Sequence, residues 1–329
     1  MAIFHFQLNS LSRRGGRSAT AAAAYRAGEQ IRDERTGALH NHAARQDVRH
    51  KEIVLPAAVA TTATWATQRG ALWNAAEHAE SRRDARTARE YVVALPAELN
   101  HEQRIGLAQA FARHIAERHR VAVDLAVHDP RSAGDARNFH AHLLATTREV
   151  HANGLGAKSV MELNGDERHR RGLSSGRAEI VALRARWAQL TNEALAEAGL
   201  SARVDHRSLA AQGINREPQP RIPYVAIQME RRGIRSEVAD RIRAQYAARI
   251  AARGQSARAS ELQAASAQGA GAQATAVAER EAGASTAHAR LEAVRAQARQ
   301  AWLQMREQTK SPAAEQPEAR RVIDKDLAL

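Results

Sequence analysis

Two apolar runs separated by a short polar stretch set the first constraint on this chain. RVAVDLAVHDP (120–130) and NFHAHLLATT (138–147) have strand length and strand composition, and only seven residues join them. Parallel pairing needs a crossover of a dozen residues or more, so these two strands are expected to pair antiparallel. Side chains two apart on a strand share a face, so His140 and His142 look at one point. On the preceding strand Ala122, Asp124, Ala126 and His128 share a face, and His128 at its end can sit beside that pair. Three neutral imidazoles on one sheet face form a three-nitrogen metal site that keeps positions open for water or phosphate oxygens. By donor type alone, zinc, iron, copper or nickel come before magnesium. His5, His114, His151 and His169 lack comparable spacing and read as solvated or structural.

The other elements follow from alternation and punctuation. Ile3 to Leu8 reads as a first strand, and Ser18 is a good N-cap for the helix ATAAAAYRAG (19–28). QIRDERTGALHNH (30–42) reads as a hairpin turning near Thr36 and Gly37. HKEIVLP and REYVVALP are short strands, each stopped by a proline, and Trp65–Arg82 and Glu102–Arg118 carry helical amphipathic spacing. The fold class expected is α+β, an antiparallel sheet flanked by helices, followed by a long helical C-terminal region. Residues 1–165 form the expected catalytic core. An Arg-rich helix and a segment punctuated by Pro218, Pro220 and Pro223, over 166–235, complete that domain as an arm. Residues 236–309, rich in Ala, Gln and Arg and interrupted by Gly269, Gly271 and Gly283, read as long, weakly packed helices, and 310–329 as a disordered tail.

Charge and composition narrow the chemistry. Lys plus Arg number 49 against 36 Asp plus Glu, a formal net charge of +13, so a polyanionic partner is the first expectation. The chain has no cysteine, which removes disulfides, thiolate zinc sites and cysteine nucleophiles. No apolar run approaches membrane-spanning length and the amino terminus lacks a continuous apolar leader, so the expected location is the cytoplasm, without membrane insertion. Aromatic residues are 4% of the chain, so binding to a nucleic acid strand would lean on arginine contacts more than on base stacking.

A nucleophile for phosphate chemistry has few candidates, because the tyrosines number four: Tyr25, Tyr91, Tyr224 and Tyr246. Tyr25 stands in the first helix, where small alanine side chains would let a DNA backbone approach. Residues 1–50 carry eight arginines against four acids, a phosphate-facing balance. A tyrosine hydroxyl is a weak nucleophile at neutral pH, so the site must supply a base and a source of electrostatic stabilisation. Arg13, Arg14, Arg17, Arg26 and Arg207 are candidate DNA contacts.

At this point the sequence resembles a known family, the MobA/MobL-type (MOBQ class) conjugative relaxases, which include the relaxase portion of TraA-like transfer proteins. The matching stretches are AIFHFQLNSLSRRGGRSATAAAAYRAGE, RDERTGALHNH, HKEIVLP, ALWNAAEHAESRRDARTAREYVVALPAEL, DLAVHDP, NFHAHLLATTREV and VDHRSLAAQGINREPQP, in the family's order. The resemblance implies a histidine-hydrophobe-histidine endonuclease fold, with Tyr25 as nucleophile and His128, His140 and His142 as metal ligands. It implies nicking of one strand at a transfer origin through a 5′-phosphotyrosyl link, with Mg²⁺ or Mn²⁺ in place of the zinc that donor type suggests. Glu90 is implied as a carboxylate orienting a ligand histidine. Single-stranded or locally melted origin DNA is the implied partner, with accessory relaxosome proteins and a type IV secretion coupling protein beside it. Translocation with the DNA during conjugation belongs to the same reading. Two positions depart from the family: Phe139 stands where proline is frequent, and Val92 where a second acid is frequent.

Three other readings stay open on sequence alone. A rolling-circle replication initiator of the same superfamily places its tyrosine after the histidine pair, a part Tyr246 could take. A non-catalytic relaxosome DNA-binding protein would use the histidines only to line a sheet. A metal-dependent hydrolase would cleave without a protein-linked product.

Overall fold

The computed structural model describes residues 2–14, 16–130 and 135–308. The chain divides into two compact units, residues 1–215 and 216–329. In chain order the first unit holds β1 (Phe6–Ser12), α1 (Ala19–Ala27), β2 (Gln30–Arg32), β3 (Leu39–Asn41), β4 (Val48–Val54), α2 (Arg69–His78), β5 (Arg86–Ala94) and α3 (His101–His119). It continues with β6 (Val123–His128), β7 (His140–Thr146), β8 (Arg148–His151), β9 (Gly154–Lys158), α4 (Gly165–Arg170) and α5 (Gly176–Glu197). The second unit holds α6 (Tyr224–Arg231) and α7 (Glu237–Gln308).

Five strands form one sheet in the order β1-β5-β7-β6-β4, every neighbouring pair antiparallel. The expected α+β class, with helices on an antiparallel sheet and a helical C-terminal region, is the one observed. One face of the sheet presents Tyr91, Val93, Leu125, Val127 and Leu143 to α3 and α5, with Phe111 and Trp187 at the centre of that core. The Phe111 and Trp187 rings lie 5.1 Å apart, and Phe6, Tyr91 and Phe111 meet edge to face. Such ring pairs add about 0.5–1.5 kcal/mol each beyond the area they bury. The opposite face carries Ala88, Ala122 and Leu144 beneath α1 and α2. Ala19, Ala22, Ala23 and Ala24 are the α1 residues in this layer, and their small side chains bring the helix axis close to the strands.

The start of α1 is set by four side chains, Ser18, Thr20, Asp33 and Glu77. Ser18 Oγ accepts from the Ala21 amide, and the carboxylate of Glu77, fully buried on α2, accepts from the Ala19 amide at 2.7 Å. Ser18 and Thr20 both donate to Asp33. The first amides of the helix thus find acceptors, and a negative charge sits at the positive end of its dipole.

Several expectations shift. The first strand begins at Phe6 rather than Ile3 and runs on to Ser12, because its register is dictated by Val93 to Arg86 on β5. The amphipathic stretch from Trp65 forms a 3-10 turn first and an α-helix only over Arg69–His78. A hairpin of β8 and β9 was not expected, although Asn153-Gly154, which spans the turn and the first residue of β9, is a strong turn signal and Gly154 has φ +144°. The expected 166–235 arm divides: α5 buries Leu183, Trp187 and Leu195 and belongs to the first core, whereas Glu217 is held by Arg249 and Arg253 of α7 in the second unit. The glycines read as interruptions do not break α7, which is helical throughout and exposed at every described side chain from Ala247 onward. The 310–329 tail and the middle of the β6–β7 connection lie outside the described residues.

Candidate metal centre and nucleophile

Strand register assembles the histidines. His128 on β6 lies directly opposite His140 on β7, and Ala126 opposite His142, so all three imidazoles project from the face covered by α1. Their ring centroids form a near-equilateral triangle with sides of 4.9, 5.2 and 5.3 Å. Among the described residues, one ligand-capable atom from each of the three lies within 4.8 Å of the others.

Each ring also has a hydrogen-bond acceptor that fixes its tautomer. His140 Nδ1 donates to the Asn138 carbonyl at 2.8 Å, and His142 Nδ1 donates to Glu90 Oε1 at 2.7 Å, which leaves the lone pair of both rings on Nε2. His128 Nε2 donates to the Arg26 carbonyl at 2.7 Å, which leaves its lone pair on Nδ1. Burial, assisted by the neighbouring His142, pushes His128 down to about 3, so it is neutral at physiological pH. Imidazole rings oriented by outer acceptors are a donor set suited to a divalent cation, and the trio fits one.

Glu90, on β5, is the hinge of the outer arrangement. Burial would raise its pKa, but hydrogen bonds from His142 and Arg26 hold the carboxyl well below the usual carboxylate range. Asn9 on β1 donates to its other oxygen at 3.2 Å. Arg26 closes a loop around the centre: its guanidinium pairs with Glu90 and its carbonyl accepts from His128. The last carbonyls of α1 are all taken by cationic or histidine side chains, Tyr25 by Arg45 at 2.6 Å, Arg26 by His128, and Ala27 by Lys51 at 3.1 Å. This is the end of the helix where positive groups are favoured. Deeper on the same face Asp124 receives Arg69 and Trp73, each at 2.8 Å, and Arg69 reaches Glu29 at 2.6 Å. Burial raises Asp124, and the Arg69 charge opposes that shift.

Tyr25 is on the last turn of α1, adjacent to the residue whose carbonyl meets His128. The residue is 39% exposed, and its ring makes a T-shaped contact with His42 with centroids 5.2 Å apart and has the Arg45 guanidinium carbon 4.2 Å from its centroid. A cavity of about 510 Å³ opens beside His140 and His142, lined also by Ile3, Val92, Leu95 and Phe139.

The arginines proposed for DNA contact separate into two groups. Arg14 and Arg17 are exposed, and Arg207 is 55% exposed while pairing with its neighbour Asp205 at 2.6 Å. Arg13, in contrast, is turned inward onto buried Glu77 at 2.8 Å and also donates to the Glu80 carbonyl at 2.7 Å. Arg26 is taken up by Glu90. Sequence reasoning missed Arg45, Lys51 and His42 around α1, because their partners are set by how the β3–β4 segment folds back over the helix rather than by any local spacing. Tyr246 lies on α7 in the second unit, its hydroxyl 3.5 Å from the Glu217 carbonyl. No helix among the described residues is long and apolar enough to cross a membrane.

Comparison with known proteins places this arrangement. The model of the MobA/MobL family matches residues 17–232. Mobilization protein MobL of Acidithiobacillus ferridurans is 38% identical, over 70% of this chain and 65% of that protein. A probable conjugal transfer protein TraA of Sinorhizobium fredii is 34% identical, over 66% of this chain and 21% of its own length. The chain thus spans just under two thirds of the first relative and about a fifth of the second. A solved structure described as "Molecular Basis of Vancomycin Resistance Transfer in Staphylococcus aureus" superposes with a TM-score of 0.51 at 29% identity, covering 63% of this chain and 100% of that one. With more than half its length matched by one family model, the chain belongs to the MobA/MobL family.

Proposed function

We propose that this protein is a DNA relaxase that nicks one strand at a transfer origin, with Tyr25 as nucleophile and His128, His140 and His142 as ligands of a divalent cation, Mg²⁺ or Mn²⁺. The observation that carries the reading is the bond between His128 and the Arg26 carbonyl at 2.7 Å, which ties the tyrosine-bearing helix to the trio. Bound there, the cation would polarise the scissile phosphate and offset charge that develops in the transition state. Tyr25 Oη attacks phosphorus and gives its phenolic proton to a base, the bond from phosphorus to the 3′ oxygen breaks, and that oxygen takes up a proton from solvent, so that a 5′-phosphotyrosyl link and a free 3′-hydroxyl result. The 3′-hydroxyl reverses the step to rejoin the strand. Glu90 holds His142 in its donating tautomer, and the Asn138 and Arg26 carbonyls do the same for His140 and His128. The cavity beside His140 and His142 offers room for the strand, and exposed Arg14, Arg17 and Arg207 offer backbone contacts.

Residues 1–235 serve as the relaxase portion in this reading and the remainder as a helical extension. Origin DNA is the substrate, accessory relaxosome proteins and a secretion coupling protein are the partners, and the cytoplasm is the site of action. The test is covalent capture: wild type with Mn²⁺ and single-stranded origin oligonucleotides taken from flanking DNA should give a protein-linked product, and Tyr25→Phe should give none. Cleavage without a linked product would favour a hydrolase, and a Tyr25→Phe protein that still captures DNA while Tyr246→Phe does not would favour the initiator.

A further inference from the structure

We infer that Arg45 is a positioning residue for the nicking reaction: it clamps the Tyr25 ring over the end of α1 so that the hydroxyl is presented to the phosphate in one orientation. This rests on the reading of Tyr25 as the nucleophile. All three guanidinium nitrogens of Arg45 are engaged. Its guanidinium carbon lies 4.2 Å from the Tyr25 ring centroid, in stacking range. Its Nη1 donates to the Tyr25 carbonyl at 2.6 Å, so the same side chain grips both the ring and the backbone of one residue. Its Nε and Nη2 fork onto Asp47 at 2.8 and 2.5 Å, which fixes the guanidinium plane. Only a planar, forked cation can meet a carbonyl, a carboxylate and a ring face together.

Asp47 in turn is anchored to the metal side. Its carbonyl accepts from the Asp129 amide at 2.9 Å, and its neighbour Val48 lies opposite His128 in the sheet. The clamp therefore runs from the ring of Tyr25 through Arg45 and Asp47 to the strand end that carries a ligand histidine. A second observation shows that this segment is built to lie against α1. Gly28, the C-cap at φ +60°, allows so close an approach that an added Cβ would stand 3.2 Å from Val48 Cγ2 and 3.4 Å from Arg45 Cβ. The His42 amide also donates to the Glu29 carbonyl at 3.1 Å, and its ring closes on Tyr25 from the edge. Tyr25 is 39% exposed, and holding its ring in one orientation spares the reaction the wait for a productive rotamer.

The experiment uses the full chain labelled with 3-fluorotyrosine. With four tyrosines, the Tyr25 resonance is the one missing from the Tyr25→Phe spectrum. In Arg45→Ala that resonance should move toward the position of a freely exposed tyrosine while the Tyr91 signal stays in place. Single-turnover adduct formation at saturating oligonucleotide and Mn²⁺ should fall by roughly 10²-fold with the oligonucleotide Kd changed by less than about threefold, the signature of lost orientation rather than lost binding. Arg45→Lys keeps the charge but lacks the fork and the flat face, so it should leave the fluorine signal displaced and the rate low. Asp47→Asn, with Arg45 intact, should give a smaller loss in the same direction and covers the case in which Arg45→Ala disturbs folding. The idea fails if the Tyr25 signal of Arg45→Ala is unmoved, or if raising oligonucleotide concentration restores its full rate, which would make Arg45 a phosphate contact. A Tyr25→Phe protein that still captures DNA overturns the nucleophile assignment and the catalytic role of Arg45 with it. If Tyr25→Phe is inactive and Arg45→Ala reacts normally, the role of Arg45 alone is overturned.

Discussion

Replacing Glu90 by Gln isolates the contribution of one outer carboxylate to the proposed metal centre. The amide keeps the shape of the side chain, and its oxygen can still accept from His142, now 2.7 Å from Glu90 Oε1. What is lost is the negative charge that strengthens that bond and compensates Arg26. Outer partners of ligand histidines typically change metal affinity by about 10–100-fold, equivalent to about 1.4–2.7 kcal/mol. Glu90 is 5% exposed and meets His142, Arg26 and Asn9, so solvent screens the loss little and a value in the upper half of that range is expected. Mn²⁺ binding followed by electron paramagnetic resonance gives the affinity directly. Adduct formation titrated with Mn²⁺ should show the midpoint displaced by the same factor and the plateau largely recovered at saturating metal. An unchanged Mn²⁺ midpoint with a lowered plateau would refute the reasoning, since Glu90 would then act on the nucleophile or the DNA and not through His142.

Two further predictions test the scaffold. Arg13→Ala leaves Glu77, buried and ion-paired with Arg13 at 2.8 Å, short of its main counter-ion, and should cost about 3 kcal/mol in urea unfolding. Arg14→Ala should change stability by less than about 0.5 kcal/mol and instead weaken oligonucleotide binding, reducing the salt slope by about 1 in fluorescence anisotropy; the reverse pattern would show that the inward and outward arginines are misassigned. His119 is 2% exposed with Glu179 at 3.5 Å, and burial lowers its pKa below the ordinary histidine value. On acidification the unfolded chain therefore takes up the proton first, so this stability is present above pH ~6.5 and lost as pH falls below it. The urea midpoint, read from the fluorescence of buried Trp73 and Trp187, should drop between pH 7.5 and 5, and His119→Leu should flatten that drop.

The clustering of the three histidines follows from the sequence, because strand geometry converts spacing into direction. His140 and His142 share a face by alternation alone, and His128 joins them once β6 and β7 pair, a pairing forced by the seven-residue connection. Ser18 as a cap and the turn at Gly37 were equally local, and both are in place. The β8–β9 hairpin has a local signal too, in Asn153-Gly154. The placement of β5 between β1 and β7 left no such trace, since it joins segments far apart in the chain, and it is what sets Glu90 beside His142.

The arginines mark the boundary most clearly. Composition alone predicts a basic protein, but Arg13, Arg14 and Arg17 are indistinguishable in sequence, and the fold sends Arg13 into Glu77 while Arg14 and Arg17 stay in solvent. Arg26 and Arg45 likewise acquire their tasks from carboxylates and carbonyls that α1, β5 and the β3–β4 segment bring together. Local periodicity therefore determines which residues face one way, whereas ion pairing depends on distances of a few ångströms between segments remote in the chain. Those distances exist only once both faces of the sheet have packed.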